Sequence, residues 1–434
     1  MRFSALLLLA SLAVSPALAD DALTFIGTLD GRDIVVELTD GKTGPVFGRY
    51  TFHDTGGDVP LLAVSHDAGH IVLNEEAPCD ETTCKVDDDG NAVDPPIAAV
   101  WTLDYDPETY MADGTRQTTG DKPKSTRLEF SVMAWRTLDA AETATPFGLH
   151  DRSATMGYDR DQKLDWAAAP YEMTVLETEF AVSPDEHIGE ATVHYVTDPR
   201  TKFPFPRIVS FDDGSSVEAA NLILAERHGR MNLSAFDCLA FQYATYGRSE
   251  TMAWSGGTLA DYDGESVTMS YASPRLISWE EAGSLWCNGA HPYNHIDNYT
   301  YDLETRDRLD FAKVFSAWVP REWGAALDEV ASAEDVKANP EGYHWGPSAD
   351  MVAYVRDTIP DDVFDAELNE TCMTDEALSE HLDLRFADGE QVVLTLSGFP
   401  HVIGVCNGDL FTVPLAELGA FLAPGAGAYF PGLE

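Results

Sequence analysis

The chain has 434 residues with 74 acidic against 27 basic side chains, and its formal charge of -47 would repel phosphate backbones and anionic headgroups, which argues against nucleic acid and membrane surfaces as partners. Hydrophobic residues make up 44% of it, which suits packed cores and excludes a disordered acidic tail. The length exceeds what one core usually supports, so more than one domain is expected.

Residues 1–19 have the layout of a secretory signal peptide. Arg2 precedes the apolar run Ala5 to Val14, and Ala17-Leu18-Ala19 supplies the small-x-small cleavage pattern, so the mature chain is expected to begin at Asp20 in the periplasm. The apolar run is shorter than a membrane span, so a soluble protein is expected. Residues 20–138 then read as an all-β meander. Thr24 to Thr28, Asp33 to Leu38 and Gly48 to His53 are rich in β-branched and aromatic residues, and Asp30-Gly31, Asp40-Gly41 and Gly56-Gly57 mark the turns between them. The acidic run Asp87 to Asn91 superficially suggests calcium, but Ala92 stands where an EF-hand loop needs glycine, so a solvated turn is expected.

Residues 139–170 lack periodicity and read as a linker or long loops. Residues 171–434 read as an α+β domain with an antiparallel sheet and flanking helices. Its expected strands are Tyr171 to Phe180, Ala191 to Thr197 and Val267 to Tyr271, and its expected helices Val217 to Arg230, Trp323 to Val336 and Ser348 to Thr358. Leu382 to Phe386 and Gln391 to Leu396 flank an Asp388-Gly389 turn as a hairpin, and Leu415 to Leu422 forms a closing short helix.

Outside the cytoplasm thiols tend to pair. Order along the chain favours Cys79 with Cys84, Cys238 with Cys287 and Cys372 with Cys406. No CxxC spacing occurs to point to a metal, and no cofactor is expected.

The segments Trp286-Cys287-Asn288-Gly289-Ala290-His291-Pro292, Tyr299-Thr300-Tyr301-Asp302-Leu303-Glu304-Thr305 and Leu309-Asp310-Phe311-Ala312-Lys313-Val314-Phe315 resemble the signature of the RsiV-like family of extracytoplasmic domains, with its "Y-x-G-G-A-H-P" turn. Phe205-Pro206-Arg207-Ile208, Phe399-Pro400-His401 and Phe411-Thr412-Val413-Pro414 are similar to flanking parts of the same domains, so the resemblance covers roughly Tyr171 to Pro424. Asn288 and Arg306 replace two of the family's glycines. The resemblance implies a cell-envelope setting, and the family includes an anti-sigma factor whose outer domain binds lysozyme and the non-catalytic part of a peptidoglycan deacetylase.

Asn288, Gly289, His291, Pro292, His295 and Asp297 are the candidate binding residues. Gly289 and Pro292 suit a tight turn, and His291, His295 and Asp297 form a polar group able to take a proton or a metal ion. No catalytic residue stands out, because Gly-x-Ser-x-Gly and Ser-x-x-Lys are absent and pairing leaves no free thiol. His66 and His70 sit four apart in a β or loop segment, where their side chains need not converge. The function expected is therefore a periplasmic binding protein that recognises a cationic wall-degrading enzyme of the lysozyme type or a peptidoglycan component. The rival readings are a wall-glycan enzyme using paired carboxylates or the His and Asp group, and a calcium-stabilised structural protein.

Overall fold

The alternating stretches after residue 20 form a meander that closes on itself. A computed structural model describes residues 20–79, 83–86, 92–139, 142–247, 265–285, 287 and 293–433. Its strands begin with β1 (Asp21–Leu29), β2 (Arg32–Thr39), β3 (Gly48–Phe52), β4 (Val59–Asp67) and β5 (His70–Glu76). A small ribbon follows, made of β6 (Lys85–Val86) and β7 (Ala92–Val93), and then β8 (Ile97–Asp106), β9 (Met111–Thr118) and β10 (Ser125–Thr137). Apart from the ribbon, each strand hydrogen-bonds its neighbour in sequence, and β10 pairs back onto β1 from Asp21 opposite Thr137 to Gly27 opposite Phe130. The expected meander is thus a closed eight-stranded antiparallel barrel.

Alternation decides what fills it. Ala99, Trp101 and Leu103 of β8 point inward with Ile34, Val36 and Leu38 of β2, and at eight strands an interior is narrow enough for side chains to pack it. Trp101 stacks on Phe130 at 5.8 Å between ring centroids and leans on Tyr50 at 5.0 Å.

The stretch read as a linker is structured. Thr145 caps helix α1 (Pro146–Tyr158) by accepting from the Gly148 amide, with proline at the first helical position where its missing N–H costs nothing. The segment from Tyr171, expected as a strand, is instead helical: Pro170 opens α2 (Pro170–Leu176), whose β-branched and aromatic residues are spent on packing against the barrel wall. Tyr171 and Val175 meet Val35 on the outside of β2.

Strands β11 (Ala181–Val182), β12 (Glu186–Ile188), β13 (Ala191–Thr197) and β14 (Pro204–Phe211) form one antiparallel sheet. The long helix α3 (Glu218–Ala240) then crosses the molecule, its first half packed on Val193, Phe205, Trp279 and Tyr301 and its end on the barrel. Ala240, Tyr243 and Tyr246 join the barrel core, and Glu76 accepts from the Ala244 and Thr245 amides to hold that junction. The Gly56-Gly57 turn makes the approach possible, since Gly56 has φ +72° and a Cβ there would lie 2.2 Å from the Phe236 ring.

A second antiparallel sheet holds β15 (Ser266–Ala272), β16 (Leu276–Leu285), β17 (Tyr293–Asp302) and β18 (Asp307–Arg308). One of its faces meets α3 through Trp279 and Tyr301; from the other, Ser278 accepts from the Phe386 amide and Glu280 pairs with Arg385.

The last part carries the two-stranded β19 (Trp318–Glu322) and β20 (Tyr343–Pro347), with α4 (Ala333–Ala338) between them. Helices α5 (Ala349–Thr358), α6 (Ala366–Cys372) and α7 (Asp375–His381) lead to a final sheet of β21 (Leu382–Ala387), β22 (Gln391–Leu396) and β23 (Gly408–Pro414). The helix expected from Trp323 is confined to α4, because Gly324 takes φ +79° and Ser332 starts the helix afresh with a capping box to Asp335. Leu415 to Phe421 is 3-10 rather than α-helical. The architecture is mixed helix and sheet, antiparallel throughout the described residues.

Candidate functional site

The turn carrying Asn288, Gly289, His291 and Pro292 lies outside the described residues, as does the acidic run Asp87 to Asn91. His295 and Asp297 are described, on β17. Two residues apart on a strand, they share a face, and His295 Nδ1 bonds Asp297 at 2.8 Å. Its Nε2 bonds Glu265 at 2.9 Å, a partner supplied by the chain just before β15. His295 is 7% exposed. Burial disfavours its charged form, but the bonds to Asp297 and Glu265 outweigh it and hold the pKa at about 9. At neutral pH it is an imidazolium donating from both nitrogens, with no lone pair to offer an ion.

The same face continues inward with Glu281, which accepts from Trp279 Nε1 at 2.9 Å and pairs with Arg227. Arg227 and Arg308 both lie over the Tyr299 ring, at 4.9 and 4.4 Å. Cys238 of α3 pairs with Cys287, tying the helix to the end of β16 beside this group, and Cys79 with Cys84 and Cys372 with Cys406 also lie at disulfide distance. His70 bonds Asp104 at 2.7 Å across β5 and β8. Among the described residues, no three or more His, Cys, Asp or Glu side chains are arranged around one ion position.

A larger charged constellation sits between the barrel wall and the helices, where sequence reasoning did not look. Glu37 and Arg49 face each other across β2 and β3, pointing out of the barrel, yet Arg49 is 0% exposed because α1 and α2 cover it. Its guanidinium bonds Glu37 and Asp58 at 2.8 Å, Glu172 of α2 at 2.7 Å and the Ser153 hydroxyl of α1 at 2.6 Å. Arg136 adds a bond to Glu37 at 3.2 Å. His150 of α1 reaches Asp58 at 2.9 Å with one nitrogen and Asp237 of α3 at 2.7 Å with the other.

Burial opposes ionisation of Asp58, but Arg49 and His150 hold it well below the usual carboxylate range. Arg49 and Arg136 likewise depress Glu172 against its burial. For His150, burial is overcome by the bonds to Asp237 and Asp58, which lift its pKa to about 9.

Serine, histidine and acid are all present here, but not as a catalytic relay. Ser153 gives its proton to Glu172 at 2.5 Å and accepts from Arg49, while both His150 nitrogens are spent on carboxylates. The cluster is a clamp that joins β2, β3 and the chain entering β4 to α1, α2 and α3. Strand alternation would place Glu37 and Arg49 on a solvated face, and only knowledge that two helices cover them reveals the site.

A third region is defined by charge at the surface. From Asp357 to Glu380 the chain has nine carboxylates and no Lys or Arg, and all nine residues are exposed. Arg356 just before it is taken up by an ion pair with Asp375 and by bonds to the Met373 carbonyl at 2.9 and 3.0 Å. Between α5 and α6 lies a groove of about 510 Å³ lined by Ile359, Phe364 and Met373 together with Arg356, Asp361 and Glu370. The Cys372–Cys406 pair fastens α6 beneath it.

No protein-family model matches the chain. A search of curated proteins finds no match either. Among the described residues no helix is long and apolar enough to cross a membrane.

Proposed function

We propose that this protein is an exported, non-catalytic binding protein of the cell envelope that captures a cationic protein, a wall-degrading enzyme of the lysozyme type, on the face formed by α5, α6 and α7. The observation that carries this reading is the groove where Ile359, Phe364 and Met373 lie among the carboxylates Asp361 and Glu370, with its one base, Arg356, taken up by Asp375. The three apolar side chains supply contact energy, and the surrounding excess of carboxylates steers a cationic partner and rejects anionic ones. Elsewhere the basic side chains are largely consumed internally: Arg49, Arg136, Arg200, Arg227 and Arg230 all pair with acids of this chain, so the outer field stays negative. The resemblance to RsiV-like domains, carried by residues 286–315, points to the same class of partner.

The test is calorimetric titration of the purified chain into lysozyme at low and at moderate salt. Binding is expected to weaken with salt without vanishing, since about 10 Å of screening length at 0.1 M leaves close contacts intact. Replacing Asp361, Asp362 and Glu370 by their amides should weaken it, whereas amide or neutral replacements of the exposed barrel acids Asp67, Glu108 and Asp121 should not. Phe364→Ala should weaken it at both salts. Equal loss from both charge sets, or no complex at low salt, refutes the reading.

A further inference from the structure

Between α2, α3 and β14 there is a cleft of about 530 Å³. Its walls are mainly apolar, with Leu164, Leu176, Phe180 and Ile223 prominent. Arg207 of β14 lines the same cleft, and its situation is unusual for this molecule. In a chain with 74 acids, no carboxylate among the described residues forms an ion pair with it. Its Nη1 donates to the neighbouring Pro206 carbonyl at 2.8 Å and its Nη2 to His228 Nδ1 at 3.2 Å. Burial without an opposing acid holds its pKa down to about 10.

Arg321, which also has no acid partner among the described residues, is fully covered and donates to the Pro347 and Ser379 carbonyls. Arg207 instead borders open volume. Its companion His228 is 1% exposed, lies between the Phe180 and Phe205 rings, and stays neutral because burial and the Arg207 charge press its pKa to about 3. Since Nδ1 accepts from Arg207, Nε2 carries the hydrogen, on the side of the Phe203 carbonyl. Arg306, itself exposed, adds a second cation to the lining, in a left-handed turn with φ +64°.

A partly buried guanidinium without an acid partner is costly to maintain, and a planar donor fork beside an apolar cleft of ligand size matches a carboxylate with an apolar body. We infer that this cleft binds a small amphipathic carboxylate of the fatty-acid type, its chain against Leu164, Leu176, Phe180 and Ile223 and its headgroup on Arg207. The site is separate from the face of α5 to α7. It also answers to salt in the opposite sense, because the field of the whole molecule repels an anion and screening relieves that repulsion.

Decanoate, decanol and decylamine serve as probes of the full chain, read by calorimetry and by the shift in melting temperature. Decanoate should bind and raise the melting temperature, with affinity at moderate salt at least equal to that at low salt, while decanol binds at least ten-fold more weakly and decylamine does not enter. Arg207→Met should fold, since it removes an uncompensated buried charge, and should weaken decanoate at least ten-fold while leaving decanol unchanged. Leu222→Trp, at a helix position that is 53% exposed and lines the cleft, should block both. The inference is overturned if decanoate fails to bind, if Arg207→Met treats decanoate and decanol alike, or if Leu222→Trp leaves decanoate binding intact.

Discussion

Replacing Arg49 by Met tests whether the buried clamp, rather than barrel packing alone, joins the barrel to the helices. The change keeps the volume of the side-chain stem and removes four hydrogen bonds, three of them to the carboxylates of Glu37, Asp58 and Glu172. Removing one partner of a buried pair costs about 3 to 5 kcal/mol, mostly because the opposite charge is stranded, and here three acids are stranded with only Arg136 and His150 near them. A loss of about 4 kcal/mol near pH 7.5 is therefore expected.

Its pH dependence is more diagnostic than its size. In the wild type Asp58 and Glu172 have lowered pKa values, so their contribution is present above the ordinary carboxylate range and is lost as pH falls through the folded values. In the variant that burial is opposed only by Arg136 and His150 and raises them, so protonation near pH 5 relieves the site and stability rises as pH falls. Urea midpoints followed by tryptophan fluorescence at both pH values measure this, and Arg49→Met with Glu172→Met should recover part of the loss. A deficit that is equal at the two pH values, or below about 1 kcal/mol, would refute the assignment of the clamp.

His150 and His295 both titrate near 9 when folded, so the stability they supply is complete below about 6.5 and drains away as pH rises towards 9, on the order of 3 kcal/mol each. His150→Gln should remove its share of that slope, leaving the part due to His295, in unfolding midpoints measured across this window. Serines at Cys238 and Cys287 open a loop with a sequence separation of 49, for which chain entropy gives roughly 4 kcal/mol, read as a lower denaturation midpoint with the barrel signal less affected than that of β16 and β17. Gly56→Ala should cost at least 1 to 2 kcal/mol from its positive φ and its contact with Phe236, and amide hydrogen exchange should show the end of α3 loosening first.

What could be read from the sequence was what depends on near neighbours. Alternation in Asp33 to Leu38 and Gly48 to His53 marked strands, the Asp388-Gly389 pair marked the hairpin of β21 and β22, and the three cysteine pairs follow proximity along the chain. Barrel closure was not legible, because it rests on Asp21 meeting Thr137, a pairing that no local pattern encodes. Tyr171 to Leu176 was misread since β-branched and aromatic residues serve equally in a short helix packed flat on a barrel. The Thr145-Pro146 pair was a readable helix start that the surrounding polar composition obscured.

The site divides the same way. His295 and Asp297 share a face once their segment is a strand, and that much follows from spacing. Glu265, which completes the contact, comes from 30 residues away, and the partners of Arg49 come from as far as Glu172, 123 residues on. A charged residue on a strand announces a solvated face unless something distant covers it.

Closure of the barrel also limits how this protein can be recognised. A sheet with free edges offers its backbone N–H and C=O groups to any extended peptide, which can join as one more strand with little regard for side chains. Eight strands paired all round withhold that invitation, as β1 and β10 occupy each other's edges. Whatever meets the first third of this molecule must therefore read its side chains, and among the exposed charged ones acids outnumber bases.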